Sequence, residues 1–209
     1  MSDERHGGGP DGAAVDSDAI AAAAAAIGDG DLVVYPTETV YGLAADAADP
    51  DAVERVFEAK GRSRDKPVSM AVPDVETALA YTRPTEREER FMRDFLPGPV
   101  TLVVERREQV PDALTGGRPK VGIRIPDHPV ALELLADAGP VTATSANVSG
   151  NPSATTVAEL DEITDRVAVV LDAGETDGGT GSTVVDAEAD TVHRRGASAD
   201  AVERWLDSE

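Results

Sequence analysis

Apolar residues fall along this chain in short blocks whose period switches repeatedly between that of a helix and that of a strand. An alanine-rich tract reaching Ile27 reads as a helix, capped by Asp16 or Ser17 and closed by Gly28 or Gly30. Leu32 to Tyr35 follows as a short buried strand. Asp49-Pro50-Asp51 opens a second helix, whose apolar face carries Val53, Val56 and Phe57 as far as Lys60. Further strands are predicted over 68–72, 100–104, 120–126, 141–144, 167–171 and 182–186, with 191–194 pairing beside the last. Helices are predicted over 75–81, 85–95, 128–138 and 157–163, and an amphipathic helix through Val202, Trp205 and Leu206 closes the chain. Leu96-Pro97-Gly98-Pro99 reads as a rigid turn and the Gly-rich 174–181 as a mobile loop. There is no internal repeat and no linker that divides two cores. Residues 1–15, Gly- and Asp-rich without an apolar period, read as a disordered leader.

Composition narrows the class. The chain has 209 residues, enough for one domain with a real core. Aromatics are only 3%, so that core is built from Val, Leu, Ile and Ala. Cysteine is absent, which excludes disulfides, thiolate metal sites and cysteine nucleophiles. No apolar run is long enough to span a bilayer and no signal-peptide pattern stands out, so the cytoplasm is the expected location. Lys+Arg number 19 against 40 Asp+Glu, a net charge of −21. Excess carboxylate with scarce lysine looks like a halophilic acidic surface, adapted to a cytoplasm whose salt screens self-repulsion. An acidic tail that recruits basic partners would need a block of like charge, and these acids are dispersed.

Against that background, positive charge is informative. Lys60-Gly61-Arg62-Ser63-Arg64-Asp65-Lys66 holds two of the chain's three lysines and two arginines. It reads either as a seat for a polyanionic ligand or as cations complementing a helix C-terminus. Pro36 to Ala44, with two threonines, a glutamate and a tyrosine directly after a buried strand, stands where open α/β sheets place ligands. It also reads as a turn closed by threonine hydroxyls. Alternation puts Lys120, Gly122 and Arg124 on one strand face, turned either to a ligand or to solvent. Ser145 to Ser153 supplies small donors and backbone freedom, as a phosphate- or ribose-binding loop needs.

Other chemistries lack their parts. His128 and His193 have no evident nucleophile beside them, and His6 lies in the leader. A serine-hydrolase elbow, a Walker loop, a dinucleotide fingerprint and a dedicated metal cage are missing. A cationic cleft with hydroxyls suits a reaction whose substrate supplies the nucleophile and whose leaving group needs no proton. Nucleotidyl transfer from ATP with departure of pyrophosphate is such a reaction, with Mg²⁺ arriving on the nucleotide.

Five stretches in order, Tyr35 to Leu43, Lys60-x-Arg62, Arg124-x-Pro126, Ser145-Ala146-Asn147-x-Ser149-Gly150 and Ser182 to Asp186, together resemble the YrdC-like threonylcarbamoyl-AMP synthases of tRNA modification, in their single-domain form. The resemblance runs from about Ala19 to Leu206. It implies a catalytic domain over 16–209, a twisted, mostly parallel open α/β sheet with flanking helices around a deep basic cavity. It implies condensation of L-threonine, bicarbonate and ATP to threonylcarbamoyl-AMP and pyrophosphate, with Mg²⁺ carried on ATP and no metal site in the protein. A downstream transferase then serves tRNA, which this chain meets only indirectly. By the same likeness Lys60 and Arg62 are catalytic. Thr39, Arg124, Ala143 and Ser182 hold threonine, and Arg62, Lys66, Lys120, Ser145, Asn147, Ser153 and Arg194 hold ATP. Two positions depart from the pattern: Ala71 stands where many relatives carry histidine, and Arg195 where proline is common. The rival readings are an RNA-binding module of the same fold without catalysis, and a carbamoyl-adenylate-forming activity like that of the hydrogenase-maturation proteins. Net −21 opposes the first, and the length and lack of cysteine oppose the second.

Overall fold

The computed structural model describes residues 15–160 and 162–208. Apart from Val15, the expected leader lies outside the described residues. The chain runs α1 (Ser17–Gly28), β1 (Val33–Tyr35), β2 (Gly42–Ala44), α2 (Pro50–Lys60), β3 (Ser69–Ala71), α3 (Val75–Tyr81), α4 (Glu86–Phe95) and β4 (Val100–Glu105). It continues with α5 (Asp112–Thr115), β5 (Lys120–Arg124), α6 (Pro129–Ala138), β6 (Val141–Ser145), β7 (Val169–Val170), β8 (Thr183–Asp186), β9 (Thr191–Arg194) and α7 (Ala199–Ser208).

Helix starts follow capping chemistry. Asp16, Asp49 and Asp74 each accept an early backbone N–H of α1, α2 and α3, satisfying donors that have no partner inside the helix. At α4, Thr85 and Glu88 cap each other's backbone N–H reciprocally. Helix α2 stops at Gly61, whose φ of 56° is left-handed, a conformation that glycine adopts without steric cost. That turn aims the basic run away from the helix axis.

The nine strands form one sheet in the order β7-β1-β2-β6-β3-β5-β4-β8-β9. The sheet is mixed and not mostly parallel: β1/β7, β3/β5 and β4/β8 pair parallel, and the other five pairs are antiparallel. The connections 36–41 and 187–190 are too short for a crossover, so β1/β2 and β8/β9 fold back on themselves. Two short elements, β2 and α5, lie where the sequence pattern showed none. The helix expected over 157–163 is instead a pair of 3₁₀ turns, Val157–Glu159 and Thr164–Arg166. Leu160 adopts extended φ −64° and ψ 123°, which halts the winding.

Strand β1 is buried on both faces. Val33 and Tyr35 pack with α1 and α6, while Val34 joins Leu43, Ala52 and Val56 beneath α2. The largest cluster gathers α4, β4, β5 and α7 around Phe91. Phe91 stacks on Phe95 at 4.5 Å and meets Trp205 edge-on at 4.9 Å, so three of the chain's few aromatics sit in one place. Among the described residues no helix is long and apolar enough to cross a membrane.

Phe91→Ala should therefore cost about 3–5 kcal/mol, read as a lower denaturation midpoint, because α4 and α7 share that ring. Tyr35 generates a pH test. Burial, against the opposing charge of Arg124, pushes its phenol from 10.0 up to about 12. Between those values the unfolded chain has lost the proton that the folded chain keeps. Stability is thus full below about pH 10 and drains as the pH rises towards 12, by roughly 2–3 kcal/mol. In Tyr35→Phe that share of the alkaline loss should vanish from urea titrations.

Candidate active site

A cavity of about 560 Å³ is lined from eight neighbouring strands, from β1 through β2, β6, β3, β5, β4 and β8 to β9. Strand β5 supplies Lys120, Gly122 and Arg124 to one wall, as the period-two pattern requires. A side chain at 122 would not fit: a Cβ there would lie 2.5 Å from Ser69 Oγ and 3.0 Å from Thr101 Cγ2. Its lining carries six cations, Arg62, Lys66, Arg118, Lys120, Arg124 and Arg194, against one carboxylate, Asp65. In a chain of net charge −21 this is a local reversal of sign.

Two of the six, Arg124 and Lys120, are paired with carboxylates. Arg124 is buried, and its Nη2 donates to Glu38 Oε1 at 2.8 Å and more weakly to Thr39 Oγ1 at 3.4 Å. Burial lowers its pKa from the usual arginine value, and Glu38 opposes that shift. Lys120 Nζ donates to Asp186 Oδ2 at 2.8 Å and to Glu188 Oε2 at 3.0 Å. Arg118 Nη2 donates to the carbonyl of Asp65 at 2.9 Å.

Arg62, Lys66, Arg118 and Arg194 differ. Among the described residues no carboxylate lies within 4.0 Å of any of them. Arg62 braces its own loop through Lys66 O at 2.9 Å and Pro67 O at 3.0 Å. Arg194 donates to Ser182 O at 2.8 Å and to Ser182 Oγ at 3.0 Å. Burial, and after it the Arg194 charge, lowers the pKa of Arg62, though a guanidinium stays cationic at neutral pH. Like charges held beside one another are costly alone, and an anion between them relieves the cost.

Two loops complete the site. In the first, Thr37 Oγ1 donates to Val40 O at 2.7 Å and lies 2.9 Å from Thr39 Oγ1. The segment Pro36 to Ala44 is thus a threonine-closed turn and a cavity wall at once. In the second, Lys60 reaches under the loop after β6, where its ammonium donates to the carbonyls of Ser145 and Asn147, the latter at 2.7 Å. Asn147 donates onward to Val148 O and Asn151 O at 2.9 and 2.8 Å.

The fold brings Thr39, Arg62, Lys66, Lys120, Arg124, Ala143, Ser145, Ser153, Ser182 and Arg194 to this one cavity. Lys60 and Asn147 are buried just behind its wall and shape the loop that forms it. Ala71 is fully buried in the core, and Arg195 turns away to Asp200 and Glu203 of α7. Sequence reasoning passed over Glu38, Thr101 and Arg118. Glu38 sat in a stretch already singled out, whereas Thr101 Oγ1, 2.8 Å from Ser182 Oγ, had no local signal.

Comparison with known proteins gives the family. The Sua5_yciO_yrdC family model, described as telomere recombination, matches residues 25–196. The chain is similar to a threonylcarbamoyl-AMP synthase of Pyrococcus abyssi, 44% identical over 78% of this chain and 49% of that protein. Against the enzyme of that name in Bacillus subtilis identity is 41%, over 82% of this chain and 51% of the relative. The chain thus spans about half the length of both curated relatives. The crystal structure of P. abyssi Sua5 complexed with L-threonine superposes with a TM-score of 0.77 at 42% identity, covering 80% of this chain and 50% of that one. The match over most of the sequence, on the same mixed sheet, places this chain in the Sua5/YciO/YrdC family.

Proposed function

We propose that this chain is an L-threonylcarbamoyladenylate synthase. It condenses L-threonine, bicarbonate and ATP into threonylcarbamoyl-AMP, with release of pyrophosphate and water. One observation carries the reading: four cavity cations, Arg62, Lys66, Arg118 and Arg194, have no carboxylate partner among the described residues, and three of them are those expected at the nucleotide. The names of the P. abyssi and B. subtilis relatives, and the threonine complex of the former, support it.

The chemistry follows from charge. Threonine's amine and bicarbonate give an N-carboxylate, whose oxygen attacks the α-phosphate while pyrophosphate leaves. Both partners are anions. Arg62, Lys66 and Arg194 offset their repulsion and stay with the charge as it moves onto pyrophosphate. Arg124 donates to the carboxylate of threonine, held in place by Glu38, while Thr39, Ala143 and Ser182 orient the amino acid. Ser145, Asn147 and Ser153 belong to the loop that cradles the nucleotide, with Lys120 at its side. Lys60 acts from behind by fixing the Ser145 and Asn147 carbonyls. Mg²⁺ enters as part of the nucleotide substrate, since the lining has only Asp65 as a carboxylate. The adenylate passes to a downstream transferase acting on tRNA, in the cytoplasm.

The test is pyrophosphate release from ATP, which should require both L-threonine and bicarbonate. Release driven by carbamoyl phosphate or RNA in place of threonine would refute the assignment. Arg124→Lys should raise KM for threonine about tenfold more than KM for ATP, because a point charge cannot replace the planar fork. Arg62→Ala should show the opposite bias. Lys60→Met should cost about 1–3 kcal/mol of stability as well as turnover, because buried carbonyls lose their donor; full activity in that variant would remove Lys60 from the mechanism.

A further inference from the structure

Glu88 belongs to no part of the cavity, yet it is 1% exposed. Its Oε2 accepts the backbone N–H of Thr85 at 2.7 Å and the Thr85 hydroxyl at 3.1 Å, which completes the cap of α4. Its Oε1 is buried and has no hydrogen-bond partner. A carboxylate oxygen withdrawn from water without a donor is costly, so some group of positive charge belongs beside it.

Across from Glu88 the chain turns from β8 into β9. There Asp186 and Glu188 each bring a carboxylate oxygen to within 4.8 Å of one from Glu88 and of each other. Two oxygens on opposite sides of a calcium-sized ion stand about 4.6–5.2 Å apart, so three oxygens this close can share one. The remaining contacts leave the cluster short of positive charge. Asp186 Oδ1 accepts the N–H of Ala189 at 3.1 Å. Arg87 is close, but it donates to Ala187 O at 2.6 Å and to Asp190 Oδ1 at 2.7 Å, pinning the turn instead of pairing with the cluster. Among the described residues Lys120 is the one cation paired with these carboxylates, and it reaches Asp186 and Glu188.

Lys120 also lines the cavity, so its ammonium stands between two calls on it. We propose that Glu88, Asp186 and Glu188 form a binding site for a hard divalent cation, in competition with the ammonium of Lys120. The incoming ion satisfies the free oxygen of Glu88 and releases Lys120 towards the cavity. That the freed ammonium then meets nucleotide phosphate rests on the proposed function; the cation site does not.

The experiment is a Mn²⁺ titration of the full chain without nucleotide, followed by calorimetry or by the loss of the free-ion spin-resonance signal. Potassium chloride at about 1 M shortens the screening length to about 3 Å and suppresses diffuse binding to the acidic surface. One saturable site is expected. Glu188→Gln changes an exposed residue, and Glu88→Gln keeps an oxygen for the Thr85 cap, so both should fold. Each should weaken the site about tenfold or more, and Lys120→Gln should tighten it severalfold by removing the competitor. Absence of saturable binding in the wild type, or equal affinity in both glutamate variants, overturns the site. Unchanged affinity in Lys120→Gln overturns the exchange. Threonine-dependent pyrophosphate release is measured separately, so failure of one reading does not disguise failure of the other.

Discussion

Six cations lining one cavity repel one another, and the architecture of this chain is arranged around holding them there. The protein contains that repulsion in two ways. Arg124 and Lys120 are anchored to Glu38 and to Asp186 with Glu188. Arg62, Arg118 and Arg194 are braced by carbonyl and hydroxyl oxygens, which fix direction without cancelling charge. The first group lends rigidity and the second keeps its attraction for an anion. A guanidinium suits this division because its planar donors let backbone oxygens orient it while it remains charged.

The mixed sheet makes the arrangement possible. Eight adjacent strands contribute to the cavity lining, and the cations come from these strands and from loops at the sheet's edge. Antiparallel returns put the start of β2 beside the end of β6, where Gly42 pairs with Ser145. The threonine-rich turn before β2 and the serine–asparagine loop after β6 therefore meet at one end. Lys60 locks that meeting by reaching from the last turn of α2 to two carbonyls of the second loop, while Ser149 N–H donates back to the carbonyl of Lys60 at 2.8 Å. Helix, turn and loop are thus one mechanical unit, and the local charge of Lys60 is bound up in holding it.

What could be read in the sequence divides along the same lines. Local rules placed Asp49 at the cap of α2, put Lys120 and Arg124 on one face, and ended α1 near Gly28, because each depends on neighbours within a few residues. Gly42–Ala44 is not legible as a strand because three residues with one large apolar side chain, Leu43, show no alternation, and they become a strand only through partners on both sides. The mostly parallel sheet that the resemblance implied gave way to a mixed one, because short returns such as 36–41 and 187–190 turn neighbouring strands antiparallel. The direction of long side chains was equally hidden. The composition marked Lys60 as a scarce cation, but only the fold shows it turned from the cavity onto loop carbonyls. The pairing of Glu38 with Arg124 joins residues 86 positions apart, and that of Lys120 with Asp186 joins residues 66 apart. No periodicity encodes either.

The acidity of the chain and the cationic character of its cavity are compatible only through screening. At about 0.1 M salt, charges are felt over roughly 10 Å, so a phosphate approaching a molecule of net −21 meets the field of the whole surface before that of the cavity. At about 1 M the reach falls to roughly 3 Å, and an incoming anion senses only the groups next to it. Pairs such as Arg124–Glu38, with side-chain exposures of 6% and 14%, keep their strength because little salt reaches them. Exposed pairs such as Arg195 with Asp200 lose most of theirs. Rising salt therefore strips away the long-range repulsion while leaving the wall of the cavity intact. The cavity gains net attraction for an anion under the conditions in which an acidic surface is least costly to carry.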